Sequence, residues 1–212
     1  MNPIKRVCVF GASNSAIPNE HIEFAESLGA ALAKSGLALV FGAGTTGLMG
    51  ACARGAHREG GEIIGIIPEK LNVPGIYFEH CTERIETATM RERKALMEEM
   101  SDAFVALGGG FGTLEELMEV ITLKQLNYID KEIIIVNLGG FYDDLLAQFE
   151  RYVRDGFTHE LFLQLYTVVN TVDGVIDALF STKERVMPDK MQEALYTARF
   201  GRRPSPAAPS DE

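Results

Sequence analysis

The sequence has few of the residues that redox, disulfide and metal sites depend on. Its 212 residues contain no tryptophan, three cysteines and four histidines. Cys8, Cys52 and Cys81 are odd in number and lack the spacing of a metal site, so reduced thiols in a core are expected. No apolar run reaches membrane-spanning length, and residues 1–6 lead directly into a strand without a signal-peptide core. These absences predict a cytoplasmic protein.

Basic charge is also scarce. Lysine and arginine number 20 against 30 aspartates and glutamates, which gives a net charge of −10. This excess opposes binding to nucleic acid polymers and to anionic membranes, although a local basic pocket can still hold one phosphate. The histidines, which stand alone in the sequence without the spacing of a helical metal site, are His21, His57, His80 and His159. We therefore expect neither a metal nor a cofactor.

Short apolar runs alternate with helical patterns along the chain. The predicted strands cover residues 6–10, 37–41, 62–67, 103–107, 133–137 and 167–169. The predicted helices cover residues 19–34, 47–58, 89–100, 113–126, 142–154 and 174–180. This alternation predicts a single α/β domain over residues 1–180, with a mostly parallel sheet and helices on both faces. Residues 181–212 form a predicted extension, with a short helix at 189–198 followed by a disordered tail.

Three predicted strands end in small or glycine-rich turns, at residues 11–14, 42–47 and 108–112. Ligands of open α/β sheets collect at the carboxyl ends of strands, so these turns are expected to meet in one crevice. Gly11 is not followed by the second glycine of a G-x-G-x-x-G dinucleotide motif, and no turn carries the lysine of a Walker A loop. Hydride transfer and ATP hydrolysis are therefore disfavoured.

The third turn places an anion site beside an acid. Its glycines and the free amides that open the next helix can hold a phosphate, and Glu116 follows closely. Because a carboxylate repels a phosphate, cations are needed, and Arg91, Arg93 and Lys94 can supply them. Two simpler interpretations remain open. Thr113 and Glu116 have the spacing of a capping box, as do residues 89 and 92, and the cations can form a solvated helix face.

Several motifs together resemble the Lonely Guy (LOG) family of phosphoribohydrolases. Residues 90–94 read MRERK, residues 101–107 read SDAFVAL, residues 108–116 read GGGFGTLEE, residues 120–122 read VIT, and residues 41–50 read FGAGTTGLMG. The similarity extends over about residues 7–180. Gly108 stands where the family usually has proline, and Ala43 and Thr45 stand where glycine and serine are common. Neither departure removes a catalytic group.

The resemblance implies a Rossmann-like fold, a homodimer assembled through helices around Met97 and Leu117, and a set of site residues. The implied catalytic pair is Arg93 and Glu116. The implied substrate- and phosphate-binding residues are Gly44, Thr45, Thr46, Met90, Lys94, Gly109, Gly110, Gly112 and Thr113. An older description of the family as lysine decarboxylases is set aside, because no part of the sequence resembles a pyridoxal-phosphate site.

The implied activity is hydrolysis of the N-glycosidic bond of adenosine 5'-monophosphates, including N6-substituted ones, with release of the base and ribose 5-phosphate. A nucleotide-binding or carrier protein on the same fold is the alternative, since a fold does not guarantee catalysis. A structural or interaction protein is a third possibility. The sequence does not distinguish which base is preferred.

Overall fold

A computed structural model of the chain describes residues 3–181. The described residues form seven strands and six α-helices, which alternate except between the third and fourth strands. The strands are β1 (Arg6–Phe10), β2 (Ala38–Phe41), β3 (Ile63–Pro68), β4 (Glu83–Thr87), β5 (Ala103–Ala106), β6 (Glu132–Val136) and β7 (Thr167–Val169). The helices are α1 (Asn19–Lys34), α2 (Gly47–Arg58), α3 (Met90–Glu99), α4 (Phe111–Gln125), α5 (Asp143–Arg154) and α6 (Val172–Phe180).

The strands form one parallel sheet with the order β4-β3-β2-β1-β5-β6-β7. The chain builds outward from β1 to β4 and then returns to the other side of β1 to add β5. Strand order reverses between β1 and β5, and in open α/β sheets the ligand crevice lies at such a switch point. The loops that follow β1, β2 and β5 therefore lie at the edge of the sheet where a ligand is expected.

Buried apolar side chains cover both faces of the sheet. On one face α1, α2 and α6 pack over a cluster that includes Leu28, Phe41 and Val175. On the other, α3, α4 and α5 pack over a second cluster that includes Met97, Phe104 and Leu117. The continuous burial of β2, β3 and β5 is typical of parallel strands covered on both sides. The predicted fold class is confirmed.

Most predicted elements agree with the structure to within two residues, but one strand was missed. β4, with the sequence ERIET, is mostly exposed at the edge of the sheet, so it has no apolar run to mark it. The predicted extension at residues 181–212, with its helix at 189–198 and its tail, lies outside the described residues apart from Ser181.

Candidate active site

The three small-residue loops meet as predicted. The amide of Ala12, after β1, donates to the carbonyl of Gly108, after β5, at 3.0 Å. The amide of Leu48, in the first turn of α2, donates to the carbonyl of Ala12 at 2.8 Å. The Thr46 hydroxyl donates to the carbonyl of Ser13 at 2.7 Å. The loop after β1 thus joins the two glycine loops into one rim.

The loop after β2, residues 42–47, is closely packed. A neighbouring segment covers it, because the amide of Thr45 donates to the Ile76 carbonyl at 3.0 Å and the amide of Phe78 donates to the Ala43 carbonyl at 2.8 Å. Ala43 is fully buried with φ of 57°. Gly47 has φ of 63°, and a Cβ atom there would lie 2.2 Å from the carbonyl oxygen of Ala12. Little space surrounds the backbone at the two ends of this loop, Gly42 and Gly47.

The loop after β5, residues 108–112, is open. A Cβ atom at Gly110 or Gly112 would meet no other atom within 4 Å, and Phe111 between them is 93% exposed. Gly110 is the N-cap of α4, and the first bond of the helix runs from the Leu114 amide to the Gly110 carbonyl at 3.0 Å. The amides of residues 111–113 precede that bond and point out of the helix start, which is the arrangement that binds anions.

The structure corrects the predicted start of α4 and decides the capping-box alternative. Because Gly110 is the N-cap, Thr113 lies within the first turn and cannot cap the helix. At α3, by contrast, Thr89 accepts a hydrogen bond from the Glu92 amide at 3.1 Å, and Glu92 reaches back to the Ala88 amide at 2.9 Å. One of the two similar patterns is thus a helix cap, whereas the other leaves Glu116 free for another partner.

That partner is Arg93. The Arg93 Nη1 atom lies 3.6 Å from Glu116 Oε1, and the two side chains are only 8% and 12% exposed. The distance is that of an ion pair longer than a direct hydrogen bond. Arg93 Nε donates to the carbonyl of Ile66, in β3, at 3.0 Å. α3 and α4 therefore bring together, in a largely buried position, the two residues predicted to be catalytic.

The Glu116 carboxyl has a pKa near neutral pH. Burial raises its pKa from the ordinary value of 4.5 to about 7, and this effect outweighs the opposing influence of Arg93. Glu115 and Glu119 also raise the pKa, and Lys94 also lowers it. Carboxylates with such shifted pKa values are typical of acid–base sites. Arg93 thus favours the ionised form of Glu116, although the effect of burial is larger.

Lys94 lies beside this pair with different partners. It forms a short contact with Glu115, and its Nζ atom lies 3.1 Å from Glu119 Oε2. These carboxylates raise the pKa of Lys94, with burial opposing them. Lys94 consequently ties α3 to α4, next to the Arg93–Glu116 pair.

The remaining predicted binding residues border the same edge of the sheet. Met90 begins α3 and is 48% exposed, while Thr113 is only 4% exposed. The carbonyl of Thr45 accepts a hydrogen bond from Arg54 at 3.3 Å. Gly109 is in close contact with Thr113, because a Cβ atom there would lie 2.1 Å from the threonine oxygen.

The three cysteines were expected to be reduced thiols in the core. Cys8 and Cys52 are buried free thiols, and Cys81 is a partly buried one. Within residues 3–181 no three histidine, cysteine or acidic side chains come close enough to hold a metal ion. Among the same residues no helix has both the length and the apolar character needed to cross a membrane.

A cavity of about 570 Å³ lies between α4 and α5 and is lined by neither Arg93 nor Glu116.

Sequence analysis overlooked three contributors to this site. They are the carbonyl of Ile66, the carbonyl of Ser13 and the close approach of Gly42 to Arg93. Backbone carbonyls carry no signal in a sequence, because every residue has one. Gly42, however, opens the second glycine loop, and a glycine directly after a buried strand indicates a close approach to the backbone.

Comparisons with known proteins give a consistent result. Residues 49–179 match the family model described as "Possible lysine decarboxylase". The chain is 44% identical over 153 residues to a cytokinin riboside 5'-monophosphate phosphoribohydrolase of Arabidopsis thaliana, covering 72% of this chain and 67% of that protein. It is 37% identical over 191 residues to a probable enzyme of the same name from Oryza sativa subsp. japonica, covering 90% and 76%.

Solved structures show the same fold at lower identity. The molybdenum cofactor binding protein of Rippkaea orientalis aligns with a TM-score of 0.64 and 24% identity, covering 84% of this chain and 96% of that one. The molybdenum cofactor carrier protein of Chlamydomonas reinhardtii aligns with a TM-score of 0.62 and 21% identity, covering 83% and 96%. At these identities the likeness concerns the fold alone.

Proposed function

This chain belongs to the Lonely Guy (LOG) family of phosphoribohydrolases, and we propose that it hydrolyses the N-glycosidic bond of adenosine 5'-monophosphates, including those with N6 substituents. The products are the free base, a cytokinin or adenine, and ribose 5-phosphate. The observation that carries the proposal is the buried Arg93–Glu116 pair, one helical turn beyond an open glycine loop.

We assign the 5'-phosphate to the open loop. The amides at the start of α4 would bind it, together with Gly109 and the Thr113 hydroxyl, and Gly44, Thr45 and Thr46 would close the opposite side. Thr113 and Glu116 are three residues apart, so they share a helix face and are separated by about 4.5 Å along its axis. A ribose held by its phosphate would therefore present its anomeric carbon near Glu116.

Glu116 would act on the ribose and on the attacking water. As the bond from the anomeric carbon to the base nitrogen breaks, positive charge develops on the sugar, and a nearby carboxylate stabilises it. The oxygen of a water molecule then bonds to the anomeric carbon. One proton of that water passes to Glu116, which later releases it to solvent, and the departing base takes up a proton from solvent. A pKa near 7 suits such a base at neutral pH.

Arg93 would orient Glu116 and favour its ionised form. A guanidinium has several donors in one plane, so it can bond to the Ile66 carbonyl and still face the carboxylate. Lys94 would be a supporting cation, and Met90 would contact the substrate at the exposed start of α3. Metal and cofactor play no part in these proposed roles.

We further propose that the protein is a cytoplasmic homodimer that acts on free mononucleotides and not on nucleic acid polymers. Buried free thiols suit a reducing compartment, and the net charge of −10 opposes polymer binding. Exposed apolar side chains such as Tyr128 and Phe157, at 76% and 83%, are candidates for subunit contact. Met97 and Leu117 are buried in the core, so an interface on α3 or α4 must use other faces of these helices.

The decisive experiment compares the wild type with Glu116→Gln. Release of base from AMP and from N6-isopentenyl-AMP would be measured by chromatography, with GMP, CMP and adenosine as comparison substrates. We expect the wild type to release base, the variant to lose about 10³-fold in kcat, and adenosine to be a poor substrate. Glu99→Gln, which removes an exposed carboxylate from α3, is the matched control.

Measurements of AMP binding distinguish a hydrolase from a non-catalytic carrier protein. The melting temperature of each variant would be followed with increasing AMP, because a ligand that binds only the folded state stabilises it. Equal activity of the wild type and Glu116→Gln would refute the catalytic role of Glu116. Saturable binding without base release by the wild type would instead favour the carrier reading.

A further inference from the structure

All three guanidinium nitrogen atoms of Arg93 lie against other groups at the carboxyl edge of the sheet. Nε donates to the Ile66 carbonyl of β3 at 3.0 Å, and Nη1 lies 3.6 Å from Glu116 of α4. The third, Nη2, lies against the backbone of Gly42, the residue that follows β2. The guanidinium is thus enclosed by β3, α4 and the end of β2.

Gly42 leaves no room for a side chain. A Cβ atom at this position would lie 1.7 Å from Arg93 Nη2 and 2.9 Å from Arg93 Cζ, far inside van der Waals contact. The other near neighbour, the Met49 sulfur, would lie at an ordinary 3.4 Å. Gly42 is absent from the glycines with positive φ, so the backbone conformation itself accepts alanine. The position therefore requires glycine because of the space that Arg93 occupies.

Gly42 differs from a purely structural glycine such as Gly47 in the kind of atom that an added side chain would meet. At Gly47 a Cβ atom would meet the backbone oxygen of Ala12, which the fold holds in place. At Gly42 it would meet the end of a long side chain, which can swing away. A methyl group at residue 42 would consequently move the guanidinium and leave the sheet intact.

We propose that Gly42 is a positioning residue for the hydrolysis described above. Because Gly42 has no side chain, the Arg93 guanidinium can occupy the position in which it faces Glu116. This inference rests on the proposed function. Gly42 touches no reacting atom and acts through Arg93 alone. The loop after β2 thus has two proposed roles. Residues 44–46 contact the nucleotide, and residue 42 positions the Arg93 side chain.

Displacing the guanidinium would have a second, measurable effect on Glu116. The charged groups around this carboxyl are Arg93 and Lys94 of α3 and Glu115 and Glu119 of α4, and Arg93 is the one that most lowers its pKa. The Cys8 thiol also faces it, with a pKa that burial and Glu116 raise well above 9.0, so it stays neutral. Without Arg93 nearby, burial and the two carboxylates would move the pKa of Glu116 further upward.

The test uses Gly42→Ala, Arg93→Ala and the double variant in the full chain, with base release from AMP followed from pH 5 to 9. We expect Gly42→Ala to lower kcat by about 10²-fold, the loss that a misplaced group of this kind causes, with KM changed less than about threefold. The acidic limb of its pH profile should move to higher pH. Glu99→Gln is the control, because its exposed carboxyl on α3 has no part in the proposed site.

A double-mutant cycle identifies the route of the effect. If Gly42 acts through Arg93, adding Gly42→Ala to Arg93→Ala should change kcat by less than about twofold, because the affected group is already gone. Full additivity of the two substitutions would overturn the proposal, and so would an unshifted pH profile or wild-type activity of folded Gly42→Ala. If the wild type is active and Glu116→Gln is not, these failures refute the role of Gly42 without touching the proposed function.

Discussion

The glycine loops after β2 and β5 share one plan of strand, glycines, threonine and helix, but the space around them differs. In the loop after β2, added Cβ atoms would meet Arg93 at Gly42 and the backbone of Ala12 at Gly47. In the loop after β5, Gly110 and Gly112 have nothing within 4 Å. Glycine at positions 42 and 47 makes room for the protein itself, whereas glycine at positions 110 and 112 leaves room for a ligand.

The largest test of this contrast pairs Gly47→Ala with Gly112→Ala. Gly47→Ala should lower the free energy of unfolding by about 2 to 4 kcal/mol, because it adds strain at positive φ and a clash with a backbone oxygen. Gly112→Ala, in the first turn of α4 with open space around it, should raise it by about 0.5 to 1 kcal/mol. Urea unfolding measures both, and equal effects would remove the distinction between the loops.

The helix after the open loop carries a buried carboxyl, which should appear in the pH dependence of stability. The pKa of Glu116 is raised to about 7 in the folded state, so the folded protein binds more protons than the unfolded chain between pH 4.5 and 7. Stability is therefore lost as pH rises through this window. Glu116→Gln should be more stable than the wild type by about 1 to 3 kcal/mol at pH 8 and nearly equal to it at pH 4.

The control for that measurement is Glu99→Gln, whose carboxyl is exposed on α3. It should leave the difference between pH 4 and pH 8 unchanged. A Glu116→Gln variant that is no more stable than the wild type at pH 8 would show that burial of this carboxyl has little effect on its ionisation.

A smaller effect concerns ligand binding at the open loop. Thr113→Val removes the hydroxyl proposed to contact the phosphate, so affinity for AMP should fall about tenfold, or 1.4 kcal/mol, while affinity for adenosine stays the same. Calorimetric titration would measure both ligands. The control is Thr122→Val on the same helix, because that hydroxyl donates to the Met118 carbonyl at 2.7 Å. An equal loss for AMP and adenosine would place the phosphate elsewhere.

The smallest expected effect is at Gly108, where the open loop begins. A Cβ atom there would lie 3.5 Å from the Phe141 ring and 3.6 Å from His21, which are ordinary contacts. Gly108→Ala should therefore stabilise the fold by about 0.4 to 1 kcal/mol, since alanine restricts the unfolded chain. Thermal unfolding would detect the gain, whereas a loss of stability would show that this strand end needs the freedom of glycine.

The sequence allowed the sheet and the meeting of its loops to be predicted, because parallel strands covered on both faces appear as uninterrupted apolar runs such as residues 103–106. β4 was not predicted because an exposed edge strand lacks that pattern. The sequence patterns at residues 89–92 and 113–116 have the same capping-box spacing, but only the first is a helix cap, and the position of the helix start distinguishes them. Local spacing could not supply that position.

The candidate site, like the fold, could be predicted only in part from the sequence. Arg93 and Glu116 could be named from motifs, and the structure places their side chains together in the interior. The raised pKa of Glu116 could not be predicted, because it depends on how much water the packed helices exclude. The close approach of Gly42 to Arg93 joins residues more than fifty positions apart, and such a contact exists only once the sheet has formed.

β1 lies in the middle of the sheet, although it is synthesised before the other six described strands. The amides of Lys5 and Arg6 donate to the Asp102 carboxylate at 2.8 and 2.9 Å, and Val7 pairs with Ala103. A nascent chain that does not yet contain β5 therefore has one side of its central strand unpaired, and such edges favour aggregation. Translation that stalls before β5 would leave a product in need of chaperones, so slow codons should be better tolerated after residue 106 than before it.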